Sequence, residues 1–248
     1  MSVWYAIPSA KAPSEWSTIP LWLESGYKVA VFRDAGSDSL PGVHLEVFGE
    51  YRGYAASVNH LARLILKADS AADWIVSGGD DIAPDPHHTP EEIAAECSWH
   101  FYEPHWIKAE LNSSHYSPEE ARPLKTFGVM QPTADRWMVN KQGLAATERV
   151  CESPWMGRSW CERAYGGNGP MCEDYRHFFV DEDLHEVAKK LGVLWHRPDL
   201  MHYHHHWSRE GKPRPPYLTE AKLNWPEALA IFNARKLAGF PGSEPLAA

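Results

Sequence analysis

The chain has only four cysteines, Cys97, Cys151, Cys161 and Cys172, and no Cys-x-x-Cys pair. That excludes a zinc ribbon and offers no disulfide framework, so free thiols in a reducing cytoplasm are the expectation. No stretch reaches the roughly 18 apolar residues that a membrane-spanning helix needs. The opening Met1-Ser-Val-Trp-Tyr-Ala-Ile-Pro8 lacks a basic leader and reads as a first strand instead of a signal peptide. Positive charge is scarce, and a net charge of −9 speaks against a nucleic-acid coat protein. Neither a P-loop nor a Gly-x-Gly-x-x-Gly fingerprint occurs, and Gly166-Gly-Asn-Gly169 follows no clear strand. Repeats and low-complexity segments are missing too.

What is present is concentrated in Asp73-Trp-Ile-Val-Ser-Gly-Gly-Asp80-Asp81-Ile-Ala-Pro-Asp85-Pro86. An apolar run, Trp74 to Val76, leads into two glycines and two adjacent carboxylates, and Pro84 and Pro86 then stop the chain. A buried strand ends in this way. Ligands of open α/β sheets bind beyond the carboxyl ends of strands. Adjacent carboxylates at such a place repel unless a cation or hydrogen-bond donors neutralise them. Hard oxygen ligands suit Mg²⁺ or Mn²⁺ carrying a phosphate. The plainer account makes Asp80 and Asp81 caps of the following turn; the Gly-Gly strand end favours a metal–diphosphate.

Alternation and helical spacing divide the first half into β-α-β-β-α-β. Strands are expected at Val3–Ile7, Tyr27–Phe32, Val43–Phe48 and Trp74–Val76, and helices after Ser14 and over Ala55–Ala68. Alternating elements imply an α/β fold with a mostly parallel sheet. Further on, a capped helix is expected over Pro90–Phe101, with Thr89 and Glu92 as its capping box. A strand over Leu124–Met130, a helix over Asp183–Leu191 and a strand over Val193–Trp195 follow. One domain over residues 1–210 is expected, with a nucleotide- and metal-binding half (1–104) and an acceptor half (105–210). Residues 211–248, rich in proline, read as loop, short helix and loose tail.

The charge is uneven. Nine acids between Leu66 and Pro104 face Lys67 alone. Arg122, Lys125, Arg136, Lys141, Arg149, Arg158 and Arg163 are interleaved with Trp137, Trp155 and Trp160, which leaves room for an anionic partner. Most of the twelve tryptophans are expected in the core. In His202-Tyr-His204-His205-His206, extended backbone would put His202, His204 and His206 on one side.

Several of these residues together resemble the family 2-like inverting glycosyltransferases of GT-A fold, over about the first two hundred positions. Ile7-Pro8-Ser9 looks like the strand end that opens the nucleotide pocket, and Asp34-Ala-Gly36-Ser37-Asp38 like the acidic turn whose first Asp contacts the base. Ala56-Ser-Val-Asn59 is similar to the family's Ala-Arg-Asn segment, and Gly79-Asp80-Asp81 stands where its Asp-x-Asp motif does, with Gly79 in place of the first Asp. Val180-Asp181-Glu182-Asp183-Leu184 resembles the segment that carries the catalytic base. The surroundings of Ser153 to Trp160 are similar to uncharacterised bacteriophage glycosyltransferase-like proteins.

The resemblance implies a Mn²⁺- or Mg²⁺-dependent enzyme that moves a sugar from a nucleotide-sugar, a UDP-sugar by preference, to an acceptor hydroxyl. Asp81, with His202 and His204, would hold the metal. Pro8, Ser9, Asp34, Asn59 and Asp80 would hold the donor. Asp181 would be the base, and Trp155, Arg158 and Trp160 would line the acceptor side. The acceptor expected is a hydroxymethylated pyrimidine in phage DNA, modified in the host cytoplasm, with no obligate protein partner. Each residue also has a plain structural role open to it: Asp181 as a helix N-cap, Asp34 as a turn residue, Asn59 on a helix surface, the tryptophans as core. A nucleotidyltransferase and a sugar- or nucleic-acid-binding module without turnover are the competing readings. The former needs a Gly-rich basic loop after the first strand, where Ser9-Ala-Lys11-Ala-Pro13 supplies one Lys and no Gly.

Overall fold

The computed structural model describes residues 1–102 and 118–241. Part of the expected acceptor half and the end of the C-terminal extension, Pro245 included, lie outside the described residues. A seven-stranded sheet forms the centre. Its strands are β1 (Ser2–Pro8), β2 (Lys28–Asp34), β3 (Leu45–Gly49), β4 (Ala72–Val76), β6 (Val129–Pro132), β7 (Trp155–Gly157) and β8 (Leu194–Arg197), in the order β3-β2-β1-β4-β7-β6-β8. A second, two-stranded sheet pairs β5 (Ile82–Ala83) with β9 (Tyr203–His204). All central neighbours are parallel except β7, which runs against both β4 and β6. The mostly parallel α/β sheet expected from the alternating pattern is therefore present.

Strand β1 is apolar on both faces because helices cover both sides: Val3 to Ile7 are all buried. Helix α2 (Tyr54–Ala68) turns Val58, Leu61, Ala62 and Ile65 onto the sheet. Helix α1 (Ile19–Glu24) starts later than expected. Pro20 occupies its first turn, where a missing N–H costs nothing, and introduces no kink. Helix α3 (Pro90–Tyr102) opens on the anticipated box, with Glu92 N donating to Thr89 Oγ1 and Thr89 N donating to Glu92 Oε2.

The second half departs from expectation in two places. Residues up to Lys125 belong to helix α4 (Pro118–Lys125), so the strand read over Leu124–Met130 begins only at Val129. The C-terminal segment is no loose tail through Leu237: α7 (Tyr217–Leu223) and α8 (Trp225–Leu237) are both helical. Helix α8 is fastened to α6 (Val180–Lys190) by Arg235, which donates to the fully buried Asp183 at 2.6 Å. Tyr165 and Tyr175 donate to the same carboxylate, each at 3.0 Å. Aromatic contacts of Trp225 with Phe178 and Phe179 complete the seam. Helix α5 (Arg158–Gly167) packs against α2, β4 and β7. No helix among the described residues is long and apolar enough to cross a membrane.

Candidate functional site

The chain leaves β1 towards β2 on one side, and β4 lies on the other, so the strand order reverses between β1 and β4. Crevices at such reversals, outside the carboxyl ends of the strands, are where open sheets bind ligands. Pro8 and Ser9 end β1 there, and Ser77-Gly78-Gly79-Asp80-Asp81 follows β4.

The two strand ends are clasped together. Ser9 Oγ donates to Asp80 Oδ2 at 2.5 Å, Lys11 Nζ lies 2.6 Å from Asp80 Oδ1, and Thr18 Oγ1 donates to the Asp80 carbonyl at 2.8 Å. Beneath them Tyr5 OH donates to the Gly79 carbonyl at 2.6 Å. Arg33, buried at the end of β2, donates to the carbonyls of Ser9 and Lys11. Asp80 is thus at the crevice, but Ser9 and Lys11 already occupy its carboxylate.

Asp81 has a different environment. The pairing of β5 with β9 sets His204 opposite Ile82, and His205 N donates to the Asp81 carbonyl at 2.8 Å. His204 Nε2 then stands 3.4 Å from Asp81 Oδ1, while its Nδ1 lies 4.0 Å from Glu152 Oε2 and has no hydrogen-bond partner. His204 N donates to Asp135 Oδ2 at 3.0 Å, and Arg209 clamps that carboxylate at 2.7 and 2.8 Å. Burial alone would push the His204 imidazolium down, but Asp81, Glu152 and Asp135 hold it above its usual value. Burial likewise opposes ionisation of Asp81, and His204 and Lys11 overcome it, keeping that carboxyl low. Glu152 goes the other way: burial lifts it to about 6, against the pull of His204.

Glu152 reaches the crevice because β7 is reversed. The beginning of an antiparallel strand lies beside the end of its neighbour, and Ser77 N donates to the Pro154 carbonyl at 3.1 Å. Nothing local marks this residue; a lone Glu between Cys151 and Ser153 becomes visible only through the reversal. Cys151 N in turn donates to the Asp181 carbonyl, bringing the first turn of α6 alongside. Asp181 is no N-cap: α6 starts at Val180 behind Phe179, and no side chain caps it. It is close enough to raise the neighbouring carboxyls of Glu152 and Glu182, after burial, which acts more strongly on both.

The structure gathers Pro8, Ser9, Asp80, Asp81, His204 and Asp181 around one crevice, with Asp34 exposed at the neighbouring end of β2. Other expected site residues do structural work instead. Asn59 is buried, its amide donating to the Met171 carbonyl at 2.8 Å and its oxygen accepting from Met171 N at 3.0 Å. His202 parts from His204 because β9 is only two residues long, too short for the alternation to continue. It is buried edge-on against Trp22, and burial drives its imidazole down to about 3. Trp155 and Trp160 are core. Arg158 follows the far end of β7 and donates to the carbonyls of Leu66, Asp69 and Ala72, at the opposite end of β4 from Asp81. Asp85 caps the turn after β5, accepting from His87 N and His88 N.

Among the described residues no three His, Cys, Asp or Glu side chains converge as a metal-binding group. A separate cleft of about 550 Å³, lined by Arg63, Tyr165, Glu173, Asp174 and Arg235, shares none of the crevice residues. No protein-family model matches the chain. No curated protein matches its sequence.

Proposed function

We propose that the chain is a metal-dependent glycosyltransferase acting on a nucleotide-sugar, of the GT-A kind that its motifs resemble. The observation that carries this is the charge arrangement at the strand reversal. Asp81 and Glu152 have His204 as their only ion-pair partner among the described residues, whereas Asp80 beside them is already met by Lys11. Carboxylates in excess at such a crevice call for a cation.

Asp81 and His204, whose Nδ1 has no hydrogen-bond partner, would hold one divalent ion. Two protein ligands fit an ion that arrives with its diphosphate and keeps phosphate oxygens and water as its remaining ligands, the habit of Mg²⁺. When bound, the cation offsets charge on the departing diphosphate. Lys11 adds a second positive charge on the same side, and Asp34, exposed at the end of β2, would contact the base of a UDP-sugar. Asp181 takes the proton of the acceptor hydroxyl. Attack from the face opposite the diphosphate inverts the sugar. The acceptor proposed is a hydroxymethylated pyrimidine of phage DNA, on the strength of the sequence resemblance.

Thermal unfolding with UDP, GDP, dTDP and UDP-sugars, each with and without Mn²⁺, tests the reading. A ligand at a hundred times its dissociation constant adds about 2.7 kcal/mol. A shift that needs nucleotide and metal together and vanishes in Asp81→Asn is the expected result. No shift with any nucleotide sinks the proposal. A nucleotide shift indifferent to metal favours a binding module without turnover.

A further inference from the structure

Tyr217 belongs to α7, outside the central sheet, yet its surroundings are those of the crevice. Asp81, Asp80 and Tyr51 are all within electrostatic reach of its hydroxyl. Its ring meets His177 edge-on, with centroids 6.1 Å apart. Tyr51 lies beyond β3, close to Asp34 and Arg176. Tyr54, which follows Tyr51 by three residues, ties the His177 segment to the end of β4: its hydroxyl lies 2.8 Å from Ser77 Oγ and donates to the Gly78 carbonyl at 3.3 Å.

The arrangement is held in place from behind. Tyr54 N donates to the Arg176 carbonyl at 3.0 Å, and Gly53, at φ +115°, lets that carbonyl come within 2.7 Å of where a Cβ would be. This fixes the strand of chain that bears His177. Trp225 and Phe232 of α8 pack on Phe178 and Phe179, next in sequence to His177, which seats the extension and with it Tyr217. Despite this anchoring, Tyr217 is 58% exposed. An aromatic ring anchored through its neighbours and largely exposed beside a polar crevice is suited to stacking.

We propose that Tyr217, with Tyr51 and His177, forms an aromatic wall that the C-terminal extension contributes to the donor site, and that the nucleobase of the donor stacks on it. The inference rests on the diphosphate reading of Asp81 and adds the part of the donor that Asp81 does not touch. Stacking needs only a π-face, so the wall favours nucleoside diphosphates over bare diphosphate whatever the base.

The test compares two probes on the full chain in the presence of Mn²⁺: inorganic pyrophosphate, and whichever of UDP, GDP and dTDP binds tightest. The Tyr217→Ala variant is expected to lose about 10-fold in nucleotide affinity, the scale of one stacked base, and to bind pyrophosphate as the parent does. Tyr217→Phe keeps both affinities. Equal weakening of both probes in Tyr217→Ala, or weakening of neither, overturns the proposal while leaving the diphosphate site standing. If the parent binds neither probe, the diphosphate reading itself fails and the wall with it.

Discussion

Asn59 and Met171 exchange two hydrogen bonds, one in each direction, at 2.8 and 3.0 Å. The asparagine side chain acts towards Met171 as a second backbone would. Gly169 lies so near that a Cβ there would come within 2.6 Å of Asn59 Cγ. Asn59→Ala leaves both Met171 groups unpaired in a buried place, a loss of about 2–4 kcal/mol. Urea denaturation should show that loss, and the affinity of the folded variant for UDP and Mn²⁺ should be unchanged. A selective loss of nucleotide binding would instead return Asn59 to the donor site.

Gly79→Ala addresses why glycine stands before the paired acids. A Cβ at this position would lie 2.3 Å from Asp81 Oδ1. The flexible carboxylate moves first, away from His204. The expected outcome is a stability change within about 1 kcal/mol together with loss of the metal-dependent nucleotide shift. An intact shift would show that Asp81 does not need its present position.

His185 and His196 give the fold an acid-sensitive side. Their rings are 5.5 Å apart between α6 and β8, and the Nε2 of each is buried without a partner. Burial holds both below the ordinary histidine value, and for His196 the neighbouring His185 pushes the same way. Glu186, Asp181 and Glu148 pull upward but do not prevail, and Lys189 pushes down on both. Folded-state values below the unfolded ones mean that the unfolded chain binds protons first as pH falls. Stability is therefore full above about 6.5, the unfolded value, and declines as pH drops towards the folded values. Urea midpoints at pH 7.5 and 5.5 should show the decline, and His196→Leu should reduce it.

Arg235→Leu strips Asp183 of its cation at a place with no exposure. Breaking such a buried pair costs about 3–5 kcal/mol. Because α8 is tied to α6 through this pair, proteolysis should cut the variant first in the C-terminal segment. A variant as stable and resistant as the parent would show that the aromatic seam alone holds the extension.

Arg158→Ala separates the two ends of the sheet. Its guanidinium ties the carbonyls of Leu66, Asp69 and Ala72, so stability should fall by about 2–3 kcal/mol. The metal-dependent nucleotide shift proposed above should be unaffected in the folded variant, since none of these contacts lies at the crevice.

Legibility in the sequence followed the length of the elements. Strands β1, β2 and β4 and helices α2, α3 and α6 are long enough for apolar spacing to declare them. Strand β7 has three residues, and β5 and β9 have two each, too few for any period. The apolar Leu124 and Phe127 looked like a strand because a helix end and a strand start adjoin there. The prolines of the C-terminal segment looked like breakers, although Pro226 sits in the first turn of α8, where proline is welcome. Within the site, Asp80, Asp81 and Ser9 were legible because each follows its own strand end. Glu152 was not, and Arg158 was misplaced, for one reason: nothing local in Trp155-Met-Gly157 reveals that it runs backwards.

That backward run also sets an order of assembly. The clasp between Ser9, Lys11 and Asp80 closes within the first four strands of the chain, β1 to β4. Glu152, Asp181 and His204 join only after β7, made later in the chain, has returned to β4 and β9 to β5. A nascent chain paused before residue 150 would hold Asp80 and Asp81 without Glu152, Asp181 or His204, so Asp81 would wait for its histidine until the last strands arrive.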